Sequence, residues 1–219
     1  MTLATTTTCI TPEHPAWPAP LNDLGADTPK ALYVRGNPDT LARWADAYCL
    51  TGARACTAYG QHVASELAAD LADLDIPLIT GGAYGTDAAA IRGHLPTPQI
   101  VMLASGLDRL YPAGNTDLLH QVLTTGGALV SAHADGAAPS RDRFLARHDY
   151  LATARATIVI EAASRSGALT VATTAGRLGR PIGAVPGPVT STSSVGTHNL
   201  IRHGARIITN RDDLVALTA

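Results

Sequence analysis

Lysine is almost missing from this 219-residue chain: Lys30 is the only one, and arginine supplies the rest of the sixteen basic side chains. Eighteen acidic residues outnumber them, for a formal charge of -2. A general basic coat for nucleic acid is thereby excluded, and any anion site has to be local. Charged residues reach only 16% of the chain, below the roughly 25% of an ordinary soluble domain. Cysteine is scarce too. Cys9, Cys49 and Cys56 are odd in number and lack CxxC spacing, so neither a zinc site nor a disulfide framework is readable, as suits a reducing compartment. No apolar run approaches the roughly 18 residues of a membrane span. The opening MTLATTTTCITPEHPAWPAP has neither the basic start nor the apolar centre of a signal peptide, so the expected location is the cytoplasm. GxGxxG, GxxxxGK[ST], HExxH and GxSxG are all absent, which argues against a dinucleotide cofactor, ATP hydrolysis, a metal site and a nucleophile elbow. No cofactor and no metal are expected.

Apolar residues, at 46%, suffice for one α/β domain with its own core. Residues 1–30, rich in Thr and Pro, read as an extended arm that is mobile before about residue 12. From residue 31 strand and helix patterns alternate. Strands are expected at 31–36, 47–52, 77–80, 99–105, 128–131, 157–162, 182–186 and 206–209. Helices are expected from Asn37-Pro38 and at 57–74, 86–94, 115–124, 141–153, 168–178, 195–203 and 211–217, the first with Asn37 as its cap. The strands are continuous apolar runs, as in strands covered on both faces. Alternation then implies a doubly wound, mostly parallel, Rossmann-like sheet with right-handed crossovers over 31–219. Ligands of such sheets sit beyond the carboxyl ends of the strands, so function should lie in the strand-to-helix turns.

The first of these turns is Gly52-Ala53-Arg54, a sharp turn beside a phosphate-forking side chain. The second, Thr80-Gly81-Gly82-Ala83-Tyr84-Gly85-Thr86-Asp87, ends a strand and opens a helix, where free amides and the helix dipole attract anions. Asp87 there reads equally as a local acceptor of the helix's first turn. The third turn holds Gly106, followed by Asn115 as a helix cap. The fifth is the richest, with Glu161 ending a strand before Arg165, Ser166 and Gly167 open a helix. The loop from Pro186 through His198 and Asn199 is long for an α/β unit, a mark of functional loops.

Six segments, in order, resemble the DNA-processing protein A (DprA/Smf) family: HPAWPAPLNDLGADTPKALYVRGN, GAR at 52–54, TGGAYGTDAAAIRG, SGLDRLYPAGN, EAASRSGALTVA, and GRPIGAVPGP with SVGTHNLIRHGA. The resemblance implies a non-catalytic protein that binds and protects single-stranded DNA, dimerises through this domain and helps to load a RecA-type recombinase. By position it assigns Arg54, Gly81, Gly82, Gly85, Arg147, Ser166, Gly167 and Asn199 to the DNA phosphates, and the reading of the turns adds Gly52, Thr86, Asp87, Gly106 and Arg165 to the expected DNA-binding set. This chain departs from the pattern at Ala53, where the family has serine, and at Arg147-His148-Asp149, where it has Arg-Asn-Arg. Small helical modules that flank the domain in many members have no counterpart here.

Two other readings compete. GGAYGT is loosely similar to the Pro-Gly-Gly-x-Gly-Thr loop of phosphoribohydrolases, so the alternative is a nucleotide sensor or a hydrolase of nucleoside monophosphates, with Glu161 or Asp87 as its carboxylate. The blander one is a scaffold that binds only a protein partner. On the DNA-binding reading Arg54, Arg92, Arg147, Arg165 and Arg202 are the arginines whose convergence on one face is to be looked for.

Overall fold

A computed structural model describes residues 6–219. Its nine strands are β1 (Thr8–Ile10), β2 (Leu32–Gly36), β3 (Tyr48–Gly52), β4 (Leu78–Thr80), β5 (Ile100–Leu103), β6 (Ala128–Ser131), β7 (Ala156–Ile160), β8 (Ile182–Ala184) and β9 (Arg206–Ile207). They form one sheet in the order β1-β2-β6-β5-β4-β3-β7-β8-β9. Every pairing from β6 to β9 is parallel, and β2 runs antiparallel to both β1 and β6. The fold is the expected α/β, Rossmann-like one, mixed at one edge.

The helices are α1 (Ala58–Asp73), α2 (Thr86–His94), α3 (Thr116–Thr124), α4 (Arg141–Leu151), α5 (Gly167–Arg177), α6 (Val195–Arg202) and α7 (Arg211–Ala216). Thr57, Ser140, Ser166 and Asn210 cap α1, α4, α5 and α7 with their side-chain oxygens, each cap being worth about 1 kcal/mol. Both faces of the sheet are covered, and successive side chains of a strand serve opposite cores. On β3, Tyr48 and Leu50 face the core beneath α1, α2 and α7, while Cys49 between them faces the core beneath α4 and α5. A third apolar cluster joins Val101, Leu103 and Leu129 to Leu119 and Val122 of α3. Cys49 is fully buried, and that burial pushes its thiol pKa far up; this thiol is inert.

The amino-terminal segment differs from the expected arm. Thr8–Ile10 pairs with β2, and Ile10, Ala16, Trp17 and Leu21 are buried in the main core. The reason is apolar area: an indole and two aliphatic side chains each gain about 1.5–3 kcal/mol by leaving water, and the five prolines limit the entropy lost on docking. The part of the arm at 1–5 lies outside the described residues. The helix expected from Pro38 is a 3-10 segment, Pro38–Asp46, with Asn37 capping it through Asp39 N at 3.1 Å. Its Trp44 is buried and donates to Thr153 Oγ1 at 3.0 Å.

Candidate functional site

From β3 the chain steps outward through β4, β5 and β6, then returns to the other side of β3 with β7. Neighbouring turns at this reversal leave in opposite directions, so a crevice opens beyond the carboxyl ends of β3 and β7. It has a volume of about 410 Å³. Its walls come from four turns and one helix: Gly52, Arg54 after β3; Ala83 and Asp87 at α2; Ser166 and Gly167 at α5; Ser193; and Arg147 and His148 of α4.

Arg54 and Arg165 are exposed at the rim, and neither is in an ion pair among the described residues. Arg147 is the opposite case. It is 5% exposed, and its Nη1 donates to the Gly81 carbonyl at 2.6 Å. Asp87 lies on the other side of Gly81: a Cβ there would stand 2.8 Å from the Arg147 guanidinium carbon and 2.9 Å from Asp87 Oδ2. Glycine is required at 81 because the buried cation and anion close over it. Burial pushes the Asp87 carboxyl above the usual carboxylate range, and Arg147 pulls it back. Asp87 accepts from Ala83 N at 3.1 Å and from Thr51 Oγ1 at 3.3 Å. Burial likewise lowers the basicity of Arg147. His148 lines the cleft beside Gly167, and burial, with Arg147 and Arg54 nearby, holds its imidazole down at about 4. The lining therefore carries three guanidiniums against one carboxylate, with a neutral imidazole between them.

Several expected ligand groups serve the scaffold. Ala83 N and Thr86 N of the glycine turn donate to Asp87 and to the Ala53 carbonyl, so those amides are spent within the turn. Gly85 has φ +74°, and its bare Cα lets the Ala53 and Arg54 carbonyls press against the start of α2. Thr86, fully buried, donates from Oγ1 to Ala53 O at 3.2 Å and to Ile160 O at 3.3 Å. Together they clamp the turn that carries Arg54. Gly82 packs on Val101, Leu103 and Leu119. Gly106 donates to Ala137 O at 2.8 Å and adjoins the loop of Asp108 and Asp135, away from the cleft. Asn199 is exposed on α6, where its Oδ1 accepts from Arg202 at 2.9 Å. Of the five arginines whose convergence was in question, Arg54, Arg147 and Arg165 line the cleft and Arg92 and Arg202 do not.

Glu161 is 5% exposed and holds a left-handed backbone, φ +53°. Its carboxylate accepts from Thr57 N and Thr57 Oγ1, both at 2.7 Å, at the start of α1. That is where a helix dipole favours an anion. Asn115 stands at the N-cap position of α3, as expected, but its side chain makes no cap bond; its Nδ2 donates instead to Gly82 O at 3.0 Å and Ala83 O at 3.1 Å, bracing the glycine turn. Asp149 accepts from Thr174 Oγ1 at 2.8 Å, so its acid is tied to α5 and does not line the cleft.

Beside the cleft lies a patch that the sequence hardly signals. The Arg54 and Arg147 guanidiniums both lie over the Phe144 ring, at 4.9 and 5.1 Å from its centre. Tyr111 meets the same ring edge-on at 6.0 Å, and Tyr84 stands next to it with about half its surface exposed. The three rings come from separate loops and a helix, so their only sequence signal is that each neighbours a glycine turn or α4.

The family model for DNA recombination-mediator protein A matches residues 8–219. The chain belongs to this family. A putative DNA processing protein DprA of Mycobacterium tuberculosis is 44% identical over 220 residues, 94% of this chain and 56% of the relative. The DNA processing protein DprA of Streptococcus pneumoniae is 31% identical over 193 residues, 87% of this chain and 67% of the relative. A solved structure of DprA from Streptococcus pneumoniae superimposes with a TM-score of 0.88 at 28% identity, covering 97% of this chain and 75% of that one. DNA processing protein A from Helicobacter pylori, solved for its single-stranded DNA binding mode, gives 0.87 at 25% identity, covering 98% of this chain and 97% of that one. The chain spans about half the length of the M. tuberculosis relative.

Proposed function

We propose that the cleft grips the sugar-phosphate backbone of single-stranded DNA and that the protein works by binding, without catalytic turnover. One observation carries this reading. Exposed guanidiniums from two turns and the amino end of α5 face one open crevice, with an aromatic patch at its rim. Arg54 and Arg165 take phosphate oxygens, and Ser166 and Gly167 add the positive end of a helix of eleven residues. Tyr111 and Tyr84, both exposed, offer faces for unpaired bases, each stack being worth about 1–3 kcal/mol, while the Phe144 ring carries the Arg54 and Arg147 guanidiniums. Buried Arg147 and Asp87, Gly81, Gly82, Gly85 and Thr86 hold the pocket in shape. The single-stranded DNA binding of the H. pylori relative supports the same reading, as does its near-complete superposition.

The test is an affinity measurement on a thymidine oligomer over a salt series. Binding should weaken steeply as salt rises, since each neutralised phosphate of a single strand adds about 0.7 to the logarithmic slope. A flat or undetectable response overturns the reading. A nucleotide hydrolase would need a free carboxylate in the cleft. Glu161 is committed to α1, and Asp87 is buried between Arg147 and the Ala83 amide. Incubation with nucleoside monophosphates should therefore release no free base. The wider role follows the family: a cytoplasmic homodimer that delivers the strand to a RecA-type recombinase. Sedimentation and a pull-down with recombinase in the absence of DNA check those two parts separately.

A further inference from the structure

Charge is unevenly divided along this chain. Residues 1–149 hold fifteen acidic and nine basic side chains, whereas residues 150–219 hold three acidic and seven basic ones. The basic part builds one flank of the sheet, from β7 at the centre out to β9. Of its seven arginines, Arg165 belongs to the cleft, Arg177 and Arg202 bond to Thr174 and Asn199, and Arg211 pairs with Asp73.

The remaining three fall into a row. Arg155 immediately precedes β7, Arg180 stands two residues before β8, and Arg206 opens β9. These strands are adjacent and parallel, with Thr157 opposite Ile182 and Gly183 opposite Arg206. Neighbouring strands lie about 4.8 Å apart, so the three amino ends align their arginines along one end of the sheet, remote from the cleft. All three line a single depression of about 440 Å³; no acidic side chain shares the lining, and the one anion in it, the carboxylate of Ala219, is in no ion pair among the described residues.

Neutralisation there is incomplete. Arg155 approaches Asp46 only to 3.9 Å, and both side chains are about half exposed. Arg206 donates to the Ala216 carbonyl, which orients the guanidinium without cancelling its charge. Arg180 alone has a close carboxylate, Asp23 at 2.6 Å, while its Nε is buried without a partner. Guanidiniums in a row repel one another and present forks suited to phosphate oxygens.

Resting on the single-strand reading, we infer that this depression is a second phosphate-binding site, taking the DNA backbone at the end of the sheet opposite the cleft. It engages a strand long enough to leave the cleft and pass round the β7–β9 flank; β7 itself has five residues, or about 17 Å. No aromatic side chain lines it, so it holds backbone alone and adds no sequence preference.

The experiment compares fluorescence anisotropy of thymidine oligomers of about six and about thirty nucleotides on the wild type, Arg155→Ser with Arg206→Ser, and Arg206→Lys. The double variant should bind the long oligomer about tenfold more weakly, with a salt slope lower by about 1.4, and the short one as before. Arg206→Lys keeps the charge and should keep the affinity. Unchanged binding of the long oligomer by the double variant overturns the second site, as does an equal loss for both lengths. Loss of a polyglutamate peptide by the double variant, with DNA binding intact, also overturns it by making the row a protein contact. Wild type that binds neither oligomer fails the single-strand reading itself.

Discussion

At the carboxyl ends of β3 and β7 an arginine lies buried near a buried acid and against a carbonyl; at the amino ends of β7 and β9 arginines stand in water, flanking a half-buried one before β8. Arg147 is 5% exposed and closes over Gly81 toward Asp87. Arg155 and Arg206 are exposed and nearly unneutralised. The same side chain is a structural member in one place and a free contact in the other. Desolvation decides which: a buried guanidinium must keep its partners, whereas an exposed one can exchange water for a phosphate at little cost.

The largest break in this contrast is Arg147→Met, which removes from buried Asp87 the buried cation that offsets its desolvation and takes the donor from the Gly81 carbonyl. Stability should fall by about 3–5 kcal/mol, read by denaturant unfolding, and adding Asp87→Ala should recover part of the loss. A loss below about 1 kcal/mol would mean that the pair is dispensable.

His148 sharpens the comparison through pH. Its folded value of about 4 lies below the ordinary 6.5, so the unfolded chain takes up the proton first as pH falls. Its contribution is whole above pH 6.5 and is lost progressively down to about pH 4. That amounts to at most about 3 kcal/mol, less for the part of the ring that water reaches. His148→Asn should remove this part of the acid sensitivity, seen as unfolding curves of variant and wild type that converge or cross between pH 7 and 4.5. Parallel curves would refute it.

Arg54→Ala should leave folding stability within about 0.5 kcal/mol. It should weaken single-strand binding about tenfold, or about 1.4 kcal/mol, equally for thymidine and mixed sequences. Smallest of all, Arg155→Ser should change stability by no more than about 0.5 kcal/mol, against the several expected at Arg147. Equal effects at 147 and 155 would erase the distinction between the two ends.

Much of the frame was legible in the linear pattern. The apolar runs that become β3, β5, β6 and β7 are buried at nearly every residue, and continuous runs this short, bounded by glycine turns, fit strands covered on both faces. The turns of Arg54 and Arg165 were legible for the same reason, since glycine or serine after such a run ends a strand at the ligand-facing edge. The amino-terminal segment was not, because proline-rich composition says nothing of the hydrophobic surface waiting for Trp17 and Leu21. Nor was Asn115, whose place before a helix looks like a cap while its amide points back to Gly82 and Ala83.

By itself the sequence determined that this is an α/β chain, with arginine as its cation and glycine turns at the strand ends, because period and backbone freedom are local properties. Which amides remain free, which arginines are buried, that Glu161 holds Thr57, and that Phe144, Tyr111 and Tyr84 meet beside Arg54 were decided only by the fold. Burial and proximity between residues distant in the chain are set by how the layers pack, and no local pattern encodes them.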